Sequence, residues 1–264
     1  MKLADKRILV TGGGSGIGLA LAEALVARGG RVAICGRNAD KLQAAARRVP
    51  SLLTAVCDVR RPEDVAALDR TLQEAWGGID LLVNNAGVAD AYSVRHAPQW
   101  LAQAETEIET NLSGPLRVIN QFLPQLLTRP EAAIVNVTSG LALAPSPATP
   151  GYSAAKAALH AFTRVLRRQL RDTPVRVFEA QPPMVDTPMV ADSRVRKMAP
   201  SAVADAIVRG LERNRLEIPI GEVRWLPFGL RVAPGIVDFV MERHPFPLAE
   251  VEQRTLSARG GGRQ

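Results

Sequence analysis

A chain of 264 residues can bury a full core as one large domain, without disulfide or metal staples. Hydrophobic residues at 47% and charged residues at 22% exclude wholesale disorder, and two cysteines, Cys35 and Cys57, exclude a disulfide framework or a cysteine-only metal site. The +7 net charge suits an anionic ligand, yet the basic residues are spread along the chain, so no nucleic-acid partner is expected.

The N-terminal Met1–Arg7 stretch is polar and lacks the apolar core of a signal peptide. No uninterrupted apolar run reaches the roughly 18 residues of a membrane span, and the reducing cytosol is the expected compartment. Arg7–Val10 reads as a first strand, followed by a Gly-rich turn and a helix from Ile17 to Ala27. Arg31–Cys35 is a second strand and Asp40–Val49 a helix. Leu52–Cys57 is a third strand, and Pro62 opens a helix to Trp76 that Gly77-Gly78 stops. Ile79–Val83 is a fourth strand and Gln99–Leu127 a long helical segment. Ala133–Val137, a helix over Gly151–Arg171, and Val175–Ala180 complete the pattern.

Continuously apolar strands alternating with helices demand a parallel sheet covered on both faces, a Rossmann-like, doubly wound α/β fold in a single domain. A ligand of such a sheet lies beyond the carboxyl ends of its strands. Beyond Thr187, residues from about 188 to 250 read as a substrate lid and C-terminal extension, with Ser201 capping a helix to Arg213. The apolar run Val223–Met241 is broken by Pro227 and Pro234, which spoils a single membrane-surface helix. A cleft wall or subunit interface is the expectation, and peripheral membrane contact is not. Residues 257–264 read as a disordered tail. His96, His160 and His244 lack metal-ligand spacing, so no metal site is expected, and His160 is expected to pack rather than ligate.

Directly after the first strand stands Thr11-Gly12-Gly13-Gly14-Ser15-Gly16-Ile17-Gly18. A glycine turn opening a helix leaves backbone N–H groups free beside the positive helix end, which suits a pyrophosphate. With Asn84-Asn85-Ala86-Gly87 after the fourth strand, Ser139 after the fifth and Tyr152-Ser-Ala-Ala-Lys156, these motifs resemble the short-chain dehydrogenase/reductase family. The ordered matches run from Thr11 to Thr187, about two thirds of the chain. The resemblance implies a hydride-transferring oxidoreductase that interconverts a carbonyl and a secondary alcohol. It implies Tyr152 as acid/base, Lys156 as ribose-binding cation, Ser139 as donor to the substrate oxygen, and Asn111 as anchor of a proton relay. Lys156 lies four residues after Tyr152, on the same helix face, where an ammonium is expected to lower the phenol's pKa.

The same resemblance implies cofactor contacts at Gly12, Gly14, Ser15, Gly16, Ile17, Gly18, Asp58, Val59, Asn85, Ala86, Gly87, Tyr152, Lys156, Val185 and Thr187. The second strand ends at Gly36, where an NAD enzyme normally carries a carboxylate, and Arg37 follows. A guanidinium suits a 2′-phosphate, so NADP(H) is expected, with NAD(H) as the alternative. Pro183 departs from the family's usual glycine, and its Pro-Pro-x-Val-Asp-Thr run is similar to a bacterial subgroup linked by name to D-alanine esterification of teichoic acids. The substrate is expected to be a small, partly apolar carbonyl or alcohol, with Leu141–Pro145 as an apolar wall. The family also implies a homodimer or homotetramer. The alternative function is a sensing or scaffolding protein that binds NADP(H).

Overall fold

A computed structural model describes residues 1–190, 196–243 and 247–253. Four strands of continuous apolar character, β1 (Arg7–Thr11), β2 (Arg31–Gly36), β4 (Leu81–Asn84) and β5 (Ala132–Val137), form its centre. Flanking them are β3 (Leu53–Val56), β6 (Val175–Gln181) and β7 (Glu217–Pro219). All pair in parallel, in the order β3-β2-β1-β4-β5-β6-β7. Consecutive strands lie on one side of β1 and then on the other, so a crevice opens between β1 and β4, outside their carboxyl ends.

Alternating side chains put two cores on the two faces. Ile8, Val10, Ile34, Val83 and Phe178 pack with Leu21 and Leu25 of α1 (Gly16–Val26), Leu42 of α2 (Ala39–Arg48), and Ile207 and Leu211 of α7 (Pro200–Glu212). Leu9, Leu82, Ile134 and Val177 pack the other way. They meet Leu68 and Leu72 of α3 (Pro62–Trp76), Phe122 and Leu126 of α5 (Gly114–Leu127), and Leu166 of α6 (Pro150–Gln169). The expected doubly wound sheet is therefore present, with a seventh strand added at the edge. Cys35 and Cys57 are buried free thiols, and neighbouring Cys57 together with burial pushes the Cys35 thiol well up.

Three local readings change. The expected long helix over Gln99–Leu127 is divided into α4 (Trp100–Ile108), a π turn (Glu109–Ser113) and α5. Helix α7 begins at Pro200, with Ala199 in the capping position, so Ser201 is not its cap. Proline suits that first position because its missing N–H would be unsatisfied anyway. Beyond β7, the apolar run forms a 3-10 turn (Gly221–Trp225), α8 (Leu226–Val232) and α9 (Pro234–Met241), broken before Pro234 as its ring requires. Residues 191–195 of the expected lid, His244 and the tail 257–264 lie outside the described residues. Among the described residues, no helix is long and apolar enough to cross a membrane, and no three metal-ligating side chains group together.

Candidate active site

The carboxyl ends of β1, β2, β4, β5 and β6 border a cleft of about 930 Å³. Its floor at β1 is the glycine turn, with Gly12, Gly14, Ser15, Gly16 and Ile17 on the cleft surface. Ser15 precedes α1, but its hydroxyl takes none of the helix's first-turn N–H groups. Those donors, at the positive end of an 11-residue helix, face the cleft without a side-chain cap. Gly16 has φ +56°, and a Cβ there would come within 2.9 Å of Thr187 Cγ2, so only glycine lets the turn and the Thr187 loop close together.

Thr11 ties this turn to the neighbouring strand. Its Oγ1 accepts from the N–H groups of Asn85 and Ala86 (both 3.0 Å) and donates to Val83 O. The Asn85 side chain donates to Thr11 O (3.0 Å) and Gly12 O (3.3 Å), so Asn85 serves the turn with its amide while also lining the cleft. Gly18, expected as a cofactor contact, is buried beneath Gly12 and Asn85 and is not on the cleft surface. It lets α1 pack close, which is a packing role.

Arg37 lies exposed on the cleft rim beyond Gly36, and no ion pair engages it among the described residues. Lys41, which the sequence reading missed, stands beside it on α2 and packs against Gly14. The available signal was the spacing Arg37-x-x-x-Lys41 around Asn38, whose side chain caps α2 by accepting from Lys41 N at 2.8 Å. Asp58 and Val59 line the same end. The Asp58 carboxylate is held by Arg60 at 2.6 Å, and that bond keeps its pKa below the usual range.

At the other end, Ser139, Tyr152 and Lys156 converge in the cleft. Ser139 follows β5 in extended conformation, and its Oγ accepts from Leu141 N at 3.1 Å. Tyr152 sits in the first turn of α6, and Lys156 one turn later donates to Val137 O at 2.8 Å. A buried ladder fixes α6 on the sheet: Asn84 Nδ2 donates to Asn136 Oδ1 and Asn136 Nδ2 to Thr163 Oγ1, both at 2.9 Å. Next to it, buried Glu179 takes Thr138 Oγ1 (2.7 Å) and pairs with His160 Nδ1 (2.8 Å), so His160 packs into a hydrogen-bonded pair.

The electrostatics differ from the expected lowering of the phenol by the ammonium. Burial pushes Tyr152 up to about 12, against the nearby Ser139 hydroxyl, which pulls it down, and the charge of Glu107 pushes it further up. Burial pulls Lys156 down to about 8. The physical reason is that Nζ, 5.7 Å from the Tyr152 ring centroid, is engaged by a carbonyl while both groups lose solvent.

Asn111 does not line the cleft. It is fully buried in the π turn, where Nδ2 donates to Val88 O (2.8 Å) and Oδ1 accepts from Val88 N (3.2 Å), pinning the loop after β4. Val185 and Thr187 line the cleft, with Val185 bridged to Met198. Pro183 keeps a place in the wall, 3.4 Å from the position of a Cβ on Gly221. Much of the remaining wall is apolar, with Leu141, Met189, Val223, Leu226, Val240 and Met241, while Arg196 and Glu222 add charge to it. Thus α8 and α9 contribute one side of the cleft, and of the expected Leu141–Pro145 wall only Leu141 faces it.

The family description "short chain dehydrogenase" matches residues 6–197. The chain is 39% identical over 224 residues to the "Uncharacterized oxidoreductase DltE" of Bacillus subtilis, covering 83% of this chain and 89% of that protein. This is in line with the bacterial subgroup to which the Pro182–Thr187 run is similar. Among solved structures, a short chain dehydrogenase from Burkholderia cenocepacia in complex with NADP superposes with a TM-score of 0.81 at 30% identity, covering 91% of this chain and 99% of that one. A Burkholderia phymatum short chain dehydrogenase/reductase in complex with NAD shares the fold, with a TM-score of 0.82 at 22% identity over 93% and 98% of the two chains. Motifs, topology and relatives agree: the chain belongs to the short-chain dehydrogenase family.

Proposed function

We propose that the protein reduces an apolar carbonyl compound to a secondary alcohol with NADPH, with Tyr152 as the proton donor. One observation carries this reading. Ser139, Tyr152 and Lys156 meet at one end of a continuous cleft whose other end holds an uncapped helix start and the Arg37–Lys41 pair.

The residues fit the dinucleotide. The free first-turn N–H groups of α1 suit its pyrophosphate, and Gly36 leaves room where Arg37 and Lys41 would meet a 2′-phosphate. When bound, the nicotinamide supplies the hydride for the carbonyl carbon. Tyr152, held at about 12, is protonated across the neutral range and so suits giving its hydroxyl proton to the substrate oxygen. Ser139 Oγ donates a hydrogen bond to that oxygen as negative charge develops. The Lys156 ammonium stabilises the phenolate left behind. Leu141, Met189, Val223 and Leu226 keep water from the reacting atoms and favour an apolar substrate. Retention of the three reacting groups in one cleft favours catalysis over the sensing or scaffolding alternative.

The test has two arms. Nicotinamide fluorescence should show tighter binding of NADPH than NADH, and a difference that shrinks in Arg37→Ala and Lys41→Ala. Equal or tighter NADH binding would overturn the cofactor choice. A panel of aryl and cyclic ketones would then be screened for NADPH oxidation, where Tyr152→Phe should abolish turnover while cofactor binding persists. Turnover surviving in Tyr152→Phe would overturn the proposed proton donor.

A further inference from the structure

The chain contains only two tyrosines, Tyr92 and Tyr152, and a single buried carboxylate connects them. Glu107 on α4 has no solvent exposure. Its Oε1 accepts from Asp90 N at 2.8 Å, and its Oε2 from Tyr92 Oη at 3.1 Å. Tyr92 Oη in turn accepts from Gly151 N at 3.1 Å, and the next backbone N–H, of Tyr152, lies toward the same carboxylate and favours its charge.

Those two N–H groups belong to the first turn of α6. Thr149 precedes the helix without a side-chain cap, and Pro150 has no N–H, so Gly151 and Tyr152 carry the helix's first open donors. A helix start without its own cap is normally satisfied by water. Here Tyr92 Oη, itself held by a buried acid from another helix, takes the Gly151 N–H, and the positive helix end favours negative charge at that place. The fit is tight: a Cβ on Gly151 would run into Glu107 Oε2 and Tyr92 Oη, and would approach Ala104 Cα to 2.8 Å.

We propose that Glu107 is a positioning residue for the reaction, acting with Tyr92 as an external cap that sets the placement of Tyr152 and clamps it to the loop 88–92 on the cleft. The proposal rests on the reading of Tyr152 as proton donor. The loop belongs to the same arrangement, since Val88, Ala89 and Asp90 line the cleft and Asp90 N is one of the carboxylate's donors. The titratable groups facing Glu107 are Tyr92 and Asp90 from that loop and Tyr152 from α6. Burial raises the acid's own pKa, and the hydrogen bonds from Asp90 N and Tyr92 Oη, with the nearby Tyr152 N–H, oppose that rise. Its charge also helps hold the Tyr152 hydroxyl protonated.

Glu107→Gln places an amide NH2 where one of the donors now meets oxygen, so part of the cap must be lost. With only two tyrosines, ring-carbon (13Cζ) labelling gives two resonances, and Tyr92→Phe assigns them. In Glu107→Gln the Tyr152 resonance should shift and its titration midpoint should fall. NADPH affinity should hold, and kcat for the ketone found in the screen should drop by up to about 100-fold, the effect of misplacing a reacting group by about 1 Å. Tyr92→Phe, which removes only the bridging hydroxyl, should also move the Tyr152 resonance and lower kcat, by less. It serves as the deciding variant should Glu107→Gln fail to fold. An unmoved Tyr152 resonance with wild-type kcat, in whichever of these variants folds, would overturn the proposal. The resonance reports placement whether or not Tyr152 is the proton donor, so Tyr152→Phe turnover tests that reading separately.

Discussion

Lys156 has 4% of its surface exposed, and its ammonium is held from its usual 10.5 down to about 8 by burial. A base whose folded pKa is depressed opposes folding whenever it is charged. The neutral amine carries no such penalty above the unfolded value, and the advantage is lost as pH falls through the folded value. Below pH 8 the wild-type chain therefore bears about 3 kcal/mol of desolvation cost at this one residue. Lys156→Met should raise the urea midpoint at pH 6.5, less whatever the lost bond to Val137 O contributes. The gain should shrink between pH 8 and pH 10.5, while ketone reduction is lost at every pH. A variant less stable than wild type at both pH 6.5 and pH 9.5 would show that the hydrogen bond outweighs the burial. The stability given up here places an ionisable amine 5.7 Å from the Tyr152 ring centroid, as the proposed chemistry requires.

At the scale of elements, the π turn Glu109–Ser113 does what a regular helix could not. It inserts Asn111 between α4 and α5, with both of its amide groups on Val88. Extra residues in a helix turn often mark functional sites for this reason. Asn111→Ala should remove both bonds and leave Val88's polar groups unpaired, costing about 1–3 kcal/mol in the denaturation midpoint. Faster amide exchange at Val88 should accompany the loss. Slow exchange retained there would place the loop's anchor elsewhere. The alternating strands and helices were legible because buried parallel strands are continuously apolar, as in Ile8–Val10 and Leu81–Val83. The glycine turn, Asn85–Gly87 and Ser139 were legible because each follows a strand, and Tyr152 and Lys156 because their four-residue spacing fits one helix face. The π turn was not, since Glu109–Ser113 has ordinary helical composition. Nor was β7, whose Glu217-Ile218-Pro219 is too short to show a period. Glu107 was hidden because only the folded loop brings Tyr92 and Gly151 to it, across 15 and 44 residues of sequence.

On the scale of the whole molecule, stability and the cleft draw on different parts of the chain. The two cores sandwich the sheet, with Phe178 of β6 fully buried in the core that α1 and α7 cover. By contrast, α8 and α9 contain no buried residue, and Phe228, Ile236 and Phe239 are exposed on them, although Leu226, Val240 and Met241 form cleft wall. A helix pair like this can change without disturbing the core, because its apolar side chains lose little solvent contact on folding. The same substitution at the two phenylalanines separates these roles. Phe178→Ala should cost about 3–5 kcal/mol, from lost transfer energy and the cavity left in the sheet's core. Phe228→Ala, at a position 66% exposed, should stay within about 0.5 kcal/mol of wild type. Chemical denaturation of both variants measures the contrast. A large loss at Phe228 would mean that its ring is covered in solution, by a contact that the single chain does not make, and the α8–α9 pair would then count as part of the stable core of an assembly.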